Sequence, residues 1–245
     1  MISGRKSLRR ACVFVVTALI ALSTASGAAA TTVHTPPYAD VISGNWSDLI
    51  AEPAGDAAVL QLTAAGYHSF NDYNTTPYAA MGSGYAQDDA VWAMFGHGNA
   101  GYITTPTGVL RSNPNIDSPP ASCSSPNACL SSYTLSQIHG IRMMMFGSCY
   151  SAVSRNGYLL PYVAVHDKGV DSSVGWSNEI YFPGPMSQWA SSFFWDTGNQ
   201  GYSMLNSAIW AESQVLSVYG SYYGTDTSVW YGLYNSSLKP AGYGN

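Results

Sequence analysis

An imidazole and a thiol each follow a short apolar run of the chain, and this pair is the part of the sequence best able to do chemistry. Residues 90–95 precede a glycine and His97, and residues 141–146 precede a glycine, a serine and Cys149. A cysteine becomes an effective nucleophile when a histidine beside it accepts its proton. The sequence therefore indicates a nucleophilic cysteine site wherever the fold brings His97 and Cys149 together.

The two runs have the length and composition of buried strands. Both are six residues long and mostly apolar, without the alternation of a half-exposed strand, and this suits strands covered on both faces in a parallel sheet, although a buried helical segment has the same pattern. Neighbouring parallel strands end at the same edge of a sheet, which is where α/β proteins bind ligands. We therefore expect both side chains in one crevice.

Helical and strand patterns alternate along the rest of the chain. A predicted helix begins near Ser47 or Asp48 and ends at Gly66, and Ser203 is the expected N-cap of another. This alternation predicts an α/β fold with a mostly parallel central sheet covered by helices. The predicted strands are 38–43, 67–73, 90–95, 141–146, 170–176 and 229–234, with a hairpin at 101–109 and a surface loop at 111–131; the predicted helices lie within 47–65, after 76, at 134–139, within 150–166, at 186–195 and at 203–218.

The N-terminal residues predict export. Residues 1–30 have a basic start, an apolar stretch at 11–25 and three final alanines, which are the parts of a secretory signal peptide. The apolar stretch is too short for a stable membrane span, and Arg9-Arg10 match a twin-arginine signal only loosely. We expect a secreted protein in which residues 31–245 form one domain.

Charge excludes some partners. Four of the nine basic residues lie in the predicted leader, so five remain against 14 acidic residues and the net charge becomes −9. Nucleic acid and anionic membrane surfaces are poor partners for such a chain. The composition by itself names no function and defines no oligomeric state.

Of the four cysteines, Cys12 leaves with the predicted leader, and the other three divide into a pair and a remainder. Cys123 and Cys129 are six residues apart in a loop, and an exported chain meets an oxidising compartment, so we expect them to form a disulfide. Cys149 is then unpaired. An unpaired thiol in a secreted protein is either buried and inert, used in intermolecular pairing, or reactive.

The two blocks that end at His97-Gly98 and at Ser148-Cys149 resemble those of the caspase-like cysteine peptidases, which include caspases, legumains, gingipains, separases and the bacterial CHAT domains. The histidine precedes the cysteine by 52 residues, against roughly 50 in caspases. The layout is most similar to that of CHAT domains, and it implies a three-layer αβα sandwich. Two features depart from the family: serine stands where many members have alanine before the cysteine, and the caspase Gln-Ala-Cys signature is absent.

The resemblance implies a peptidase mechanism that needs no cofactor. His97 would assist the Cys149 thiol and protonate the leaving amine, while the thiolate attacks a peptide carbonyl to give an acyl-enzyme. The backbone N–H groups of Gly98 and Cys149 would form the oxyanion hole, and a side chain at Gly98 would crowd the substrate. A third group that orients the histidine cannot be selected from the sequence.

The substrate implied is a polypeptide. Relatives select the residue before the cut through a charged pocket, and a chain with so few cations favours a basic guest. Glu179 is the first candidate for recognising Lys or Arg, with Trp176 and Asp89 as further candidates for the pocket; a solvated surface carboxylate is the ordinary alternative for Glu179.

Two other classes of function compete with the peptidase. An α/β-hydrolase with a cysteine nucleophile needs the catalytic acid and then the histidine after the nucleophile. His166, which follows Cys149 by only 17 residues, leaves too little chain for the intervening elements, so this alternative is disfavoured. A non-catalytic exported module could use its 7 Trp and 18 Tyr to bind glycans or proteins, although many of these residues must lie in the core. No group of residues has the spacing of metal ligands.

Overall fold

The computed structural model describes residues 36–73, 75–82, 86, 89–138 and 140–240. The predicted leader of residues 1–30 lies outside this part of the chain, and so does His139. Within the described residues, no helix has both the length and the apolar character that crossing a lipid bilayer requires.

The described residues form two sheets and a set of helices in alternating order. The strands are β1 (Tyr38–Ser43), β2 (His68–Tyr73), β3 (Asp89–Phe95), β4 (His97–Asn99), β5 (Tyr102–Thr105), β6 (Gly108–Arg111), β7 (Ala128–Cys129), β8 (Met143–Gly147), β9 (Ser172–Trp176) and β10 (Ser228–Gly232). The α-helices are α1 (Glu52–Ala64), α2 (Pro77–Ala80), α3 (Leu135–Ile138), α4 (Leu160–Tyr162), α5 (Gly184–Phe194) and α6 (Met204–Tyr219). Val163–Asp167 and Trp195–Gln200 are π-helical.

The large sheet has the strand order β10-β9-β8-β3-β1-β2. Its strands β1, β2, β3, β8 and β9 pair in parallel, and the edge strand β10 pairs antiparallel with β9. The parallel strands therefore follow one of the common doubly wound orders, in which the crevice lies at the carboxyl ends beside β1 and β3. The predicted α/β fold, with a mostly parallel central sheet between helices, is confirmed.

Hydrophobic cores lie on both faces of the large sheet, and this explains the unbroken apolar runs. In β3, Val91, Ala93 and Phe95 belong to the core under α1, α5 and α6, whereas Trp92 and Met94 belong to the core on the other face. A strand covered on both sides has no polar position, so its sequence does not alternate.

The small sheet extends the predicted hairpin. β5 and β6 pair antiparallel as expected, but β4 follows β3 after a single glycine and pairs with β5, and β7 pairs in parallel with β6. The predicted disulfide joins Cys123 to Cys129, which connects the surface loop to β7.

Two helix predictions need correction. α1 begins at Glu52 rather than near Ser47 or Asp48, because Pro53 fits only the first turn of a helix. The helix predicted within 150–166 is a series of turns up to residue 159, followed by α4 and the π-helical turn Val163–Asp167. In contrast, Ser203 caps α6 as predicted, since its Oγ accepts a hydrogen bond from the Asn206 N–H.

Candidate active site

His97 and Cys149 leave neighbouring strands at the same edge of the large sheet. β3 and β8 pair in parallel with Phe95 opposite Gly147. The Gly96 N–H donates to the Gly147 carbonyl at 3.2 Å, which extends the pairing by one residue. The fold therefore brings the two predicted site residues to one place.

An open cleft of about 350 Å³ lies over this edge of the sheet, within the usual size range of ligand pockets. Its charged side chains are the carboxylates of Asp48 and Glu179, and no lysine or arginine occurs among the described residues that line it. The cleft thus favours positively charged ligands over negatively charged ones. It is lined by Asp48, Leu49, His97, Gly98, Asn99, Cys149, Tyr150, Glu179, Ile180, Tyr181 and Phe182.

Gly98 is the point at which the histidine and cysteine segments touch. A Cβ atom on Gly98 would lie 2.2 Å from Ser148 Oγ, 2.6 Å from Ser148 Cβ and 2.8 Å from the Cys149 carbonyl oxygen. Any side chain here would push the two segments apart. The structure therefore requires a glycine here for contact within the protein; that it also keeps space for a substrate stays a prediction.

Asp48 and Trp46 hold the imidazole of His97. The His97 Nε2 atom lies 3.3 Å from Asp48 Oδ1, and the Trp46 ring meets the imidazole edge to face with centroids 4.8 Å apart. If Nε2–H donates to Asp48, Nδ1 is the nitrogen free to accept a proton. Asp48 is therefore the candidate for the orienting group that the sequence left unassigned.

The Cys149 thiol is bonded to the backbone of Ile180. The Ile180 N–H donates to Sγ at 3.4 Å, and Sγ–H donates to the Ile180 carbonyl at 3.6 Å. Neither hydrogen bond of the sulfur is to His97. In this state the two side chains share the cleft without forming a thiolate–imidazolium pair.

Burial raises the pKa of the half-buried Cys149 thiol, and the negative charge of Glu179 raises it further, against the hydrogen bond from Ile180. A raised thiol pKa means that Cys149 carries its proton at neutral pH. Nucleophilic attack from this state requires a base that removes the proton at the moment of reaction.

The turn after Cys149 is fixed by a buried serine. Tyr150 has a positive φ of 55°, a conformation that a non-glycine residue keeps only when its surroundings enforce it. Ser151 Oγ donates to the Phe146 carbonyl at 2.7 Å and accepts from the Trp176 N–H at 3.0 Å. These bonds tie the end of β8 to the end of β9 and so determine where Cys149 stands.

Glu179, the first candidate for substrate recognition, lines the cleft. Its Oε1 atom accepts a hydrogen bond from the Tyr150 hydroxyl at 3.5 Å. Its negative charge is close enough to the Cys149 sulfur to raise the pKa of the thiol.

Two predicted pocket residues lie outside the cleft. Trp176, the last residue of β9, is fully buried. Its Nε1–H donates to the Thr225 carbonyl at 3.2 Å, and its ring packs against Trp189 in the core. Asp89 is the first residue of β3, and Phe95 follows it six positions later, about 20 Å away at the usual strand rise. It therefore lies at the opposite edge of the sheet.

Sequence reasoning missed Asp48, Trp46 and Ile180. The position of Asp48 could have been predicted, because it follows β1, the parallel neighbour of β3. Polar residues that follow parallel strands of one sheet lie at the carboxyl ends of those strands, where His97 lies. Ile180 acts through its backbone, so its side chain gave no sign of its contact with the thiol.

No group of three or more His, Cys, Asp or Glu residues within the described part of the chain is arranged to hold a metal ion. No protein-family model and no curated protein matches the chain. The functional assignment therefore rests on the geometry of the cleft.

Proposed function

We propose that this protein is a caspase-like cysteine peptidase that cleaves polypeptides through an acyl-enzyme. The observation that carries the proposal is the position of His97 and Cys149, which follow adjacent parallel strands and line one cleft. Chance rarely places an imidazole and the one unpaired thiol of the described residues together at the edge where α/β folds bind ligands.

The reaction begins from the protonated thiol. His97 accepts the proton of Cys149 as the sulfur attacks the peptide carbonyl carbon, and Asp48 stabilises the imidazolium that forms. The Cys149 N–H, which donates to no other described residue, and the Gly98 N–H are the proposed donors to the oxyanion. Collapse of this intermediate breaks the C–N bond while His97 protonates the amine. Water then attacks the thioester carbonyl carbon while His97 takes its proton; the C–S bond breaks, the imidazolium returns that proton to the Cys149 sulfur, and the acid product leaves.

The charge of the cleft supports a substrate with Lys or Arg before the cut. Glu179 and Asp48 are its fixed charges, and a cation that approaches them interacts favourably while an acidic side chain is repelled. Glu179 is the proposed recognition group because Asp48 already contacts His97.

Export is the proposed location of the enzyme. The Cys123–Cys129 disulfide supports an oxidising compartment, and this agrees with the signal peptide expected at residues 1–30.

A peptidase-like binding protein without activity is the second candidate. It is favoured by one observation, namely that the resting thiol bonds to Ile180 rather than to His97. The α/β-hydrolase has no comparable support, since His166 stacks on Tyr162 and does not line the cleft.

Hydrolysis of fluorogenic peptides separates these candidates. Substrates with Arg, Lys, Ala or Asp before the scissile bond should be tested with the parent protein and with Cys149→Ala and His97→Ala. We expect turnover of the Arg and Lys substrates by the parent alone. Absence of turnover for every substrate in a peptide library would favour the binding protein.

A further inference from the structure

A second cavity, which we call the aromatic cavity, lies at the far end of α5 from the cleft. It has a volume of about 490 Å³ and is lined by Trp195, Asp196, Gln200, Tyr202, Asn206 and Trp210. α5 starts two residues after Phe182, which lines the cleft, and its 11 residues span about 16 Å before Trp195. The aromatic cavity is therefore separate from the proposed active site.

Two of the three aromatic residues of this cavity, Trp195 and Tyr202, are exposed although they are large and apolar. Trp195 is 40% exposed and Tyr202 is 57% exposed. Trp195 belongs to the π-helical turn Trp195–Gln200, and such turns are rare and occur frequently at functional sites. Exposed aromatic surface beside a cavity is a common mark of a binding site.

The two tryptophan rings pack against each other. Their centroids are 5.4 Å apart and their planes differ by 33°. A ligand group held between two rings would separate them by at least about 7 Å, twice a carbon contact distance. The two tryptophans therefore cannot enclose a cation as an aromatic cage does. The aromatic surface open to a flat ligand is the exposed part of Trp195 and the Tyr202 ring.

The polar groups of the cavity suit hydroxyl groups. Gln200 and Asn206 are exposed, and their carboxamides make no hydrogen bond within the described part of the chain, so both offer a donor and an acceptor. Asp196 contributes a buried acceptor. No lysine or arginine is among the described lining residues, which disfavours an anionic ligand.

We propose that the aromatic cavity is a saccharide-binding site for a neutral, β-1,4-linked sugar chain of gluco configuration. In such a sugar every ring substituent is equatorial, so the two faces of the ring carry only C–H groups that pack on the negative faces of indole and phenol rings. The hydroxyls project from the ring edge, where Gln200, Asn206 and Asp196 can bond to them. Binding here would hold the protein on a polysaccharide while the cleft stays open.

Titration of the full protein with cellohexaose and chitohexaose, followed by calorimetry and tryptophan fluorescence, tests the proposal. We expect saturable binding of at least one of them with a Kd below about 1 mM. Trp195→Ala and Tyr202→Ala should each weaken it by about tenfold, the loss that follows removal of one aromatic stacking partner. Both side chains are exposed, so neither change should unfold the protein.

The matched control is Ile209→Ala. It removes an exposed apolar side chain of α6 that does not line the aromatic cavity, so it should leave binding unchanged. Cys149→Ala should also bind as the parent does, which separates this site from the fate of the peptidase proposal. Absence of binding up to about 5 mM, or binding that survives Trp195→Ala, would overturn the proposal. Binding of tetramethylammonium in place of the sugars would overturn it in favour of a cation site.

Discussion

The cleft and the aromatic cavity are built from different parts of the fold. The cleft stands on strand ends, where paired backbone fixes each position, and its key side chains are titratable. The aromatic cavity stands on the ends of two helices and is mostly aromatic and amide in character. Chemistry needs groups held to within fractions of an ångström, whereas recognition tolerates a broader surface. Under the two proposals, the protein would carry out the reaction and the attachment to a polysaccharide at opposite ends of α5.

Cys149→Ala should separate the two regions most sharply. Removal of the nucleophile should lower peptidase activity by at least about 10⁴-fold, because none of the other described residues that line the cleft carries a thiol. Saccharide affinity and thermal stability should match those of the parent. A residual activity above one per cent, measured after removal of contaminating proteases, would contradict the assigned nucleophile.

Gly98→Ala should damage the cleft through its backbone. The new Cβ would overlap Ser148 and the Cys149 carbonyl, and relief by movement of about 1 Å should lower kcat about 100-fold. Gly198→Ala is the matched control, since its Cβ would meet only the Ala65 Cβ at 3.1 Å. Equal kinetics for both variants in a peptide assay would show that the contact at Gly98 has no catalytic importance.

Asp48→Asn tests the orienting group. Asp48 is 72% exposed, and an exposed ion pair contributes up to about 1 kcal/mol, so we expect kcat to fall about fivefold with little change in KM. Asp167→Asn, an exposed acid outside the cleft, is the control. Steady-state kinetics that show an effect on KM alone would instead place Asp48 among the substrate-binding groups.

Glu179→Gln should move two measurements in opposite directions. The charge of Glu179 raises the pKa of Cys149, so its removal lowers that pKa, increases the thiolate fraction at a given pH and speeds alkylation by iodoacetamide about twofold. The same change should lower kcat/KM for Arg and Lys substrates about tenfold while an Ala substrate is unaffected. A parallel loss for all three substrates would argue against a recognition role.

Ser148→Ala should have the smallest effect. Ser148 Oγ is buried and makes no hydrogen bond to another described residue, so its removal should raise the free energy of unfolding by about 1 kcal/mol. Urea denaturation measures this directly. A loss of stability would mean that the hydroxyl has a partner, such as an ordered water.

The sequence predicted the strands of the large sheet and the positions of His97 and Cys149 because both signals are local. An apolar run marks a strand buried on both faces, and the residues that follow it reach one sheet edge. The contacts of those residues are not local. Asp48 reaches His97 from the segment after β1, and the backbone of Ile180 reaches Cys149 from the segment after β9. Trp176 was predicted to line the pocket because it ends a strand, but it is buried in the core. The position of a residue at the end of a strand does not reveal on which face of the sheet its side chain lies.

The most direct test is the rate at which a peptidyl acyloxymethyl ketone labels Cys149 in the parent and in His97→Ala. The reagent carries Arg at the position before its reactive carbon. Because the resting thiol carries its proton and bonds to Ile180, iodoacetamide alkylation should differ between the two proteins by less than about threefold. The peptidyl ketone, which occupies the cleft, should label Cys149 of the parent at least about 100-fold faster, since His97 is the proposed base for that reaction. Equal labelling rates in the two proteins, or no labelling of the parent, would contradict a His97–Cys149 catalytic pair.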